Sequence, residues 1–413
     1  MKFFFKKIIY IFLLFSIQIS IFQTISFADD IIEEIENDVC LETITENSKE
    51  PNILSKNVIV IDRKTRTVLY EKEAYKQIPM ASTTKIMTCI IALENANLKD
   101  IVTVSQKAAS IHGSTLGIDK NSQISMQDLL YGLMLRSGND CAIAIAEYIS
   151  GSVEEFANLM NQKAAYLGLT NTHFVTPHGL DDDNHYTTAY ELAILTNYAL
   201  QNEYFKQIVS CKTATITLNN QSRIISNTNE LLGNLDGVYG VKTGFTFNAG
   251  RCLVSSCKRD NLDIIVVVLG ADTKKVRTLD SRNLINYIFS TYKYVDVLST
   301  IHTAFQNYIP YFNKNCLLEK TITTPILKLG TLENTKYPLS VNDVVKLNTK
   351  IYTFQSFNFE IPAQSKVGVL HLYKDNTLLC NVDIFLENNL IKNDWKYYFK
   401  NILCNSIFLN KYV

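Results

Sequence analysis

Hydrophobic positions recur along this chain at two different periods, and the change of period marks out its elements. Asn57–Asp62 (NVIVID) is an almost continuous apolar run, and Thr67–Glu71 (TVLYE) follows a short charged turn, so the two predict a β-hairpin. Spacings of three and four then take over and predict helices over Ser82–Ala96, Ser125–Arg136, Asn139–Ile149, Val153–Leu167 and Thr188–Gln201. Strands return near Gly240–Thr243, Arg251–Lys258 and Asp263–Leu269, the last carrying IIVVVL, and Thr273–Tyr292 is a final helix. Strands on both sides of a helical block predict an α/β (α+β) domain, with one antiparallel sheet closed by both ends of the segment and helices inserted between. From residue 295 to 390 the pattern shortens to alternating stretches (KVGVLHLYKDN, TLLCNVDIFLE) around turn residues, which predicts a small all-β domain.

Both ends of the chain depart from this pattern. Lys2, Lys6 and Lys7 precede an apolar stretch over Ile8–Phe22, and Ser26-Phe27-Ala28 offers small residues where a signal peptidase cuts. The apolar core is short for a membrane span of about 20 residues. Residues 1–28 are therefore predicted to be a cleaved signal peptide, and residues 29–52 an acidic spacer. At the other end, Trp395, Tyr398, Phe399, Ile402 and Leu403 fall on one helical stripe, with Lys396, Lys400, Asn401 and Asn405 opposite. Residues 391–413 thus predict a basic amphipathic helix able to lie in the headgroup layer of an anionic membrane.

Composition adds little until it is divided along the chain. The 413 residues are 47% apolar and 19% charged, an ordinary globular mixture with length for two or three domains. Forty basic and forty acidic side chains give zero net charge, which argues against a nucleic-acid binder. That zero is the sum of a +3 leader, a −6 middle over residues 29–390 and a +3 tail. Nine cysteines (40, 89, 141, 211, 252, 257, 316, 380 and 404) with no CxxC spacing do not form a disulfide framework. Cys89, Cys141 and Cys252 sit in apolar runs, where they act as small hydrophobes. His173, His178 and His185 lie close together but lack companion ligands, so neither a metal nor a cofactor is expected.

Three short motifs carry the candidate chemistry. The first, Ser82-Thr83-Thr84-Lys85, opens an apolar helix. Residues i and i+3 share a helix face, so Lys85 Nζ can approach Ser82 Oγ. A serine hydroxyl needs an adjacent base to become a nucleophile. The positive end of a helix favours both a neutral lysine and a developing oxyanion. Ser137-Gly138-Asn139 follows 55 residues later, at a junction of two helices, and Lys242-Thr243-Gly244 comes 105 residues after that, on a strand. Singly, each has a bland account: an N-cap, an N-cap with a turn glycine, a lysine at a strand end. In this order, within one sheet–helices–sheet segment, the three point to acyl transfer through a serine; the same trio occurs in penicillin-binding proteins and class A β-lactamases.

On these motifs the chain resembles the serine-type D-alanyl-D-alanine carboxypeptidases, the low-molecular-mass penicillin-binding proteins of peptidase family S11. The resemblance extends over Ala81–Thr88, Asp128–Ala142, Asn171–Ala193 and Asn227–Gly270, and the β domain and tail follow the same layout. Met80 stands where the family often has proline, and Cys141 and Cys252 fill positions that elsewhere take other residues. The resemblance implies a β-lactamase/transpeptidase-like domain over residues 53–294, a β domain over 295–390 and a membrane-associating helix over 391–413. It implies that Ser82 attacks a terminal D-Ala-D-Ala bond of a peptidoglycan stem peptide, with Lys85 as base and Ser137 relaying a proton to the leaving amine. It further implies that Asn139, Lys242, Thr243 and Gly244 bind substrate. The backbone N–H groups of Ser82 and Phe245 would form the oxyanion hole, a contribution worth a few kcal/mol of barrier.

Lys242 would also keep the site positive and so disfavour a charged Lys85. The three close histidines are then loop structure rather than a catalytic base. β-Lactams would be covalent inhibitors, and the enzyme would work on the outer face of the cytoplasmic membrane. A class A β-lactamase adds a glutamate some three dozen residues beyond its Ser-Asp-Asn motif, and the corresponding NTHFVTPHGL holds none. A DD-endopeptidase would use the same residues as the carboxypeptidase, and a non-catalytic wall-binding scaffold is the reading from another class.

Overall fold

The computed structural model describes residues 50–403 apart from residues 220, 316–322, 341–343, 345, 355–359, 392–394, 397–398 and 400–401. The segment expected to be a signal peptide, most of the expected spacer and the end of the tail from residue 404 lie outside the described residues. Two compact units meet at Tyr287/Ile288.

The first unit is organised on a five-stranded antiparallel sheet. Its strands are β1 (Asn57–Asp62), β2 (Val68–Lys72), β3 (Val238–Thr246), β4 (Gly250–Arg259) and β5 (Leu262–Ala271), in the spatial order β2-β1-β5-β4-β3. The two runs that read as continuously apolar, β1 and β5, are central neighbours paired from Asn57↔Leu269 to Asp62↔Ile264. All six residues of β1 and the stretch Ile264–Ala271 of β5 are buried. A strand covered on both faces has no solvent side to alternate with, which is why these two show no period-2 pattern. Ile59, Ile61, Ile265, Val267 and Leu269 turn toward the large helical core, while Val58, Val60, Val266 and Val268 are buried on the opposite face.

The helices between β2 and β3 are α1 (Lys85–Asn95), α2 (Met126–Leu135), α3 (Asn139–Ser150), α4 (Val153–Tyr166), α5 (Ala189–Ala199) and α6 (Glu203–Ser210); α7 (Lys274–Thr291) follows β5. Side chains cap several of the starts. Ser125, Ser152 and Thr188 accept from the backbone N–H of Asp128, Glu155 and Glu191, each three residues on. The ends of the segment are joined by the buried Asp280 of α7, whose Oδ2 accepts from Leu54 N (3.1 Å), Ser55 N (2.8 Å) and Ser55 Oγ (2.5 Å). Three donors on one carboxylate oxygen offset the cost of burying the charge.

Some elements were not anticipated. The helix expected over Ser82–Ala96 opens instead as a 3₁₀ turn, Ala81–Thr84, before α1. The strand expected at Gly240–Thr243 runs from Val238 to Thr246. Helix α6, the hairpin Thr213–Leu218/Gln221–Ser226 and the short pair Ile101–Thr103/Gln123–Ser125 were not among the elements expected from the sequence. In the second unit an antiparallel sheet is formed by Leu327–Leu329, Thr377–Leu386, Lys366–Lys374 and Leu347–Thr353, in that order, as the alternating stretches implied. The segment also begins with an 18-residue helix, α8 (Leu298–Asn315), which contributes Ile301, Phe305 and Phe312 to that unit's core. Pro310 inside α8 interrupts the helical reading of its sequence. In the tail, Trp395, Lys396, Phe399, Ile402 and Leu403 are helical and exposed.

Candidate active site

Neither motif serine caps a helix. Ser82, half-buried, lies within the Ala81–Thr84 turn, whose N-cap is Met80 and which has no side-chain cap. Ala81 has φ +47°, a left-handed conformation costing an L-residue of this kind about 1–2 kcal/mol. It is held by the two buried threonines that end the turn: Thr83 Oγ1 donates to Met80 O at 2.5 Å and Thr84 Oγ1 to Ala81 O at 2.7 Å.

Lys85, the first residue of α1, is fully buried. Its Nζ donates to Ser82 Oγ, Asn139 Oδ1 and the carbonyl oxygen of His178, each at 2.8 Å. Two of these partners, an amide oxygen and a peptide carbonyl, can only accept. A neutral lysine could spend its two N–H groups on them and leave its lone pair for the hydroxyl of Ser82, which can donate. The surroundings thus orient Lys85 as a base toward Ser82.

Asn139 reaches Lys85 from the start of α3. Its Nδ2 donates to His112 O (2.8 Å) and its backbone N–H to Ser114 O (2.7 Å). The next residue, Asp140, is buried and accepts the backbone N–H groups of Leu116 (2.9 Å), Gly117 (2.8 Å) and Ile118 (3.2 Å). The Ser-Gly-Asn junction therefore carries the loop 112–118 as well as one partner of Lys85. Ser137 itself has φ +61°, and its Oγ is buried without a hydrogen-bond partner among the described residues. An orphaned buried hydroxyl in a strained residue is uncommon, and such features concentrate at functional sites.

The third motif lies on β3, the edge strand of the sheet. A Cβ on Gly244 would stand 3.1 Å from the backbone nitrogen of Ser82 and 3.1 Å from Ala81 Cβ, so only glycine lets the strand approach the serine turn this closely. Side chains alternate along a strand, so Lys242 leaves β3 on the same face as the Gly244 Cβ direction. Lys242 is buried, with Nζ donating to Thr243 O at 3.0 Å. Thr243 Oγ1 is 2.6 Å from Thr228 Oγ1. Beyond it, the Arg251 guanidinium stacks on the Phe245 ring, 3.7 Å from the centroid, and Phe247 is exposed.

Residues 176–185 lie within the Asn171–Ala193 stretch of the resemblance, but the contacts they make were not read from the sequence. They pack against the serine turn and the start of α1, and reach the end of β3. Thr88 Oγ1 donates to Pro177 O (2.6 Å), the next carbonyl accepts from Lys85, and Asp181 Oδ1 accepts from Thr246 Oγ1 (2.6 Å) at the end of β3. Gly179 has φ +87°, and a Cβ there would come within 2.0 Å of Ala81 O. His178 and His185 are buried here, whereas His173 is half-buried with Nδ1 at 2.6 Å from Asn184 O. Besides the resemblance, the sequence signal for this segment was its turn chemistry; its contacts were not legible because the partners lie up to 101 residues away.

The two buried histidines make acid sensitivity a property of the fold. Burial, then the nearby Lys85 charge, holds His178 at about 3. Burial holds His185 at about 4, with Asp182 opposing and His173 and Lys85 assisting. In the unfolded chain both would titrate near 6.5. Below that value the unfolded state binds protons that the folded state refuses, so this stability is fully present above pH 6.5 and falls as pH drops toward 4. At pH 5 the loss is about 2 kcal/mol per histidine. Urea unfolding at pH 7, 6 and 5 should show the midpoint falling steadily across that range; a flat profile would contradict the buried neutral state.

Comparison with known proteins agrees with this geometry. The family model of D-alanyl-D-alanine carboxypeptidase, peptidase S11, matches residues 44–273. The D-alanyl-D-alanine carboxypeptidase DacF of Bacillus subtilis is 33% identical over 344 residues, covering 82% of this chain and 86% of the relative. The enzyme DacC of Escherichia coli is 36% identical over 258 residues, covering 59% of this chain and 64% of its own length. Among solved structures, the carboxypeptidase DacD of Francisella tularensis superposes with a TM-score of 0.65 at 25% identity, covering 86% of this chain and 97% of that one. Penicillin-binding protein 5 of Haemophilus influenzae superposes with a TM-score of 0.65 at 26% identity, over 83% and 99% of the two chains. The family model matches over more than half of the chain and a relative is 33% identical over 82% of it, so the chain belongs to the D-alanyl-D-alanine carboxypeptidase family, peptidase S11.

Proposed function

We propose that this protein is a serine D-alanyl-D-alanine carboxypeptidase that removes the terminal D-alanine from peptidoglycan stem peptides through an acyl-enzyme on Ser82. The observation that carries the reading is the 2.8 Å approach of Lys85 Nζ to Ser82 Oγ, while Asn139 Oδ1 and His178 O can only accept from the amine. In this mechanism Ser82 Oγ attacks the scissile carbonyl carbon as its proton passes to Lys85 Nζ. The oxyanion that forms accepts from the backbone N–H of Ser82 and that of Phe245. Ser137 relays the proton from Lys85 to the departing amine, the C–N bond breaks and D-alanine leaves. Water then attacks the ester and returns the proton to Ser82. Lys242 and Thr243 hold the terminal carboxylate of the substrate, Gly244 keeps space open beside Ser82 N, and Asn139 contacts the substrate peptide while holding Lys85. β-Lactams present the same carboxylate and carbonyl and would acylate Ser82.

Incubation with a pentapeptide ending in D-Ala-D-Ala, followed by mass analysis, tests the reading. Loss of one D-alanine residue is the expected product. An unchanged peptide from enzyme that is folded would reject it, and cleavage only of cross-linked dimers would favour an endopeptidase.

The site of action is proposed from the two ends of the chain. The leader of residues 1–28 would direct export, and the tail over residues 391–413 would hold the enzyme to an anionic membrane surface. The exposure of Trp395 (69%), Phe399 (55%) and Ile402 (62%) on described helical residues supports such a role. Among the described residues no helix is long and apolar enough to cross a membrane. Truncation before residue 391 should release active enzyme from anionic vesicles in a flotation assay. If the truncated enzyme floats as well as the full chain, the tail is not the anchor.

A further inference from the structure

We infer that His185 is a positioning residue for the nucleophile: acting through Thr84, it holds the Ala81 carbonyl and with it the left-handed turn that presents Ser82 to Lys85. The inference rests on reading Ser82 as the nucleophile.

The hydrogen bonds form a directed chain. His185 Nδ1 faces two backbone donors, the N–H of Val175 at 3.0 Å and that of Thr176 at 3.4 Å, so this nitrogen can only be the acceptor of the ring. The ring proton therefore sits on Nε2, which donates to Thr84 Oγ1 at 2.8 Å. With its lone pair occupied by the imidazole, the Thr84 hydroxyl directs its own proton to Ala81 O at 2.7 Å. That carbonyl belongs to the residue immediately before Ser82, and to the one whose φ of +47° must be held against its steric cost. His185 is 2% exposed, and the ring is fixed from the side by an edge-on contact with Phe174, 5.8 Å between centroids. Gly179, from the same segment as His185, closes on Ala81 O and Thr84 Oγ1. A histidine that merely filled space would need no such polarity. Here every bond in the chain has one permitted direction, and the last one ends beside the reacting serine.

Glutamine can reproduce this arrangement, because its amide oxygen and nitrogen offer an acceptor and a donor at a separation like that of the two ring nitrogens. The test is the acylation of the full-length protein by a fluorescent penicillin, resolved into the non-covalent binding constant and the acylation rate constant. His185→Ala and Thr84→Val are each expected to slow acylation by about 10- to 100-fold, the scale of a small misplacement of reacting atoms, with binding changed by less than about threefold. His185→Gln is expected to restore the rate to within about threefold of wild type, and the His185→Ala/Thr84→Val double variant to be no slower than the slower single. A folded Thr84→Val or His185→Ala protein that acylates within about twofold of wild type would overturn the inference. So would a loss confined to binding, or two losses that multiply. Should His185→Ala fail to fold, Thr84→Val and His185→Gln decide on the same criteria. Failure of the nucleophile reading looks different: wild-type protein would not label, or Ser82→Ala would.

Discussion

Alanine at position 82 is expected to abolish both covalent labelling by penicillin and release of D-alanine, a fall of at least about 10⁴-fold in turnover. The size of the effect follows from what is removed. Ser82 Oγ stands 2.8 Å from Lys85 Nζ, while Asn139 Oδ1 and the carbonyl oxygen of His178, which also accept from that amine, are not nucleophiles. Water could not substitute efficiently, because the turn positions Ser82 covalently and water would have to be ordered there at an entropic cost. Ser82 is half-buried and caps no helix, so its loss should leave the fold and its melting temperature nearly unchanged. Intact-mass analysis after incubation with penicillin reads the result directly. An adduct on folded Ser82→Ala protein would mean that the nucleophile lies elsewhere.

Lys85→Met should produce the second largest effect, about 10²- to 10⁴-fold on the acylation rate, the usual worth of a positioned general base. The two variants differ in kind. Without Ser82 no ester can form, whereas without Lys85 the ester forms slowly and still reaches one adduct per protein at long times. Methionine matches the length of the lysine stem but leaves Asn139 Oδ1 and His178 O without their donor, at about 1–3 kcal/mol for each buried acceptor. A moderate drop in melting temperature is therefore expected alongside the kinetic loss. Labelling at near the wild-type rate in folded Lys85→Met protein would assign the base to another group.

The parts of the fold that could be read from the residues were those whose signals are local. β1 and β5 were visible as apolar runs, and α2, α4 and α5 from their three-and-four spacing; in the structure Ser125, Ser152 and Thr188 cap their starts. Helix α8 was not, since Pro310 contradicts a helix by local rules and the packing of Ile301 and Phe305 in the second unit's core overrides them. The site divides in the same way. Ser82 and Lys85 share a spacing of three, and a 3₁₀ turn joined to a helix preserves their approach even though the expected continuous helix is absent. Asn139 was expected against the substrate; its amide is in addition a bridge between Lys85 and His112 O, which no spacing could have announced.

By itself, then, the sequence determined which groups could do chemistry, and the order of sheet and helices that would bring them to one place. Local periodicity, capping and the covalent spacing of a four-residue motif suffice for that. What only the tertiary structure decided is how the base is oriented and how the nucleophile is held. Lys85 is aimed by oxygens 54 and 93 residues away, Gly244 touches the serine turn from a distant strand, and Ala81 is fixed through Thr84 by a histidine 101 residues beyond it. Such bonds depend on directions in space that exist only once the chain has closed on itself, and a one-dimensional pattern has no term for them.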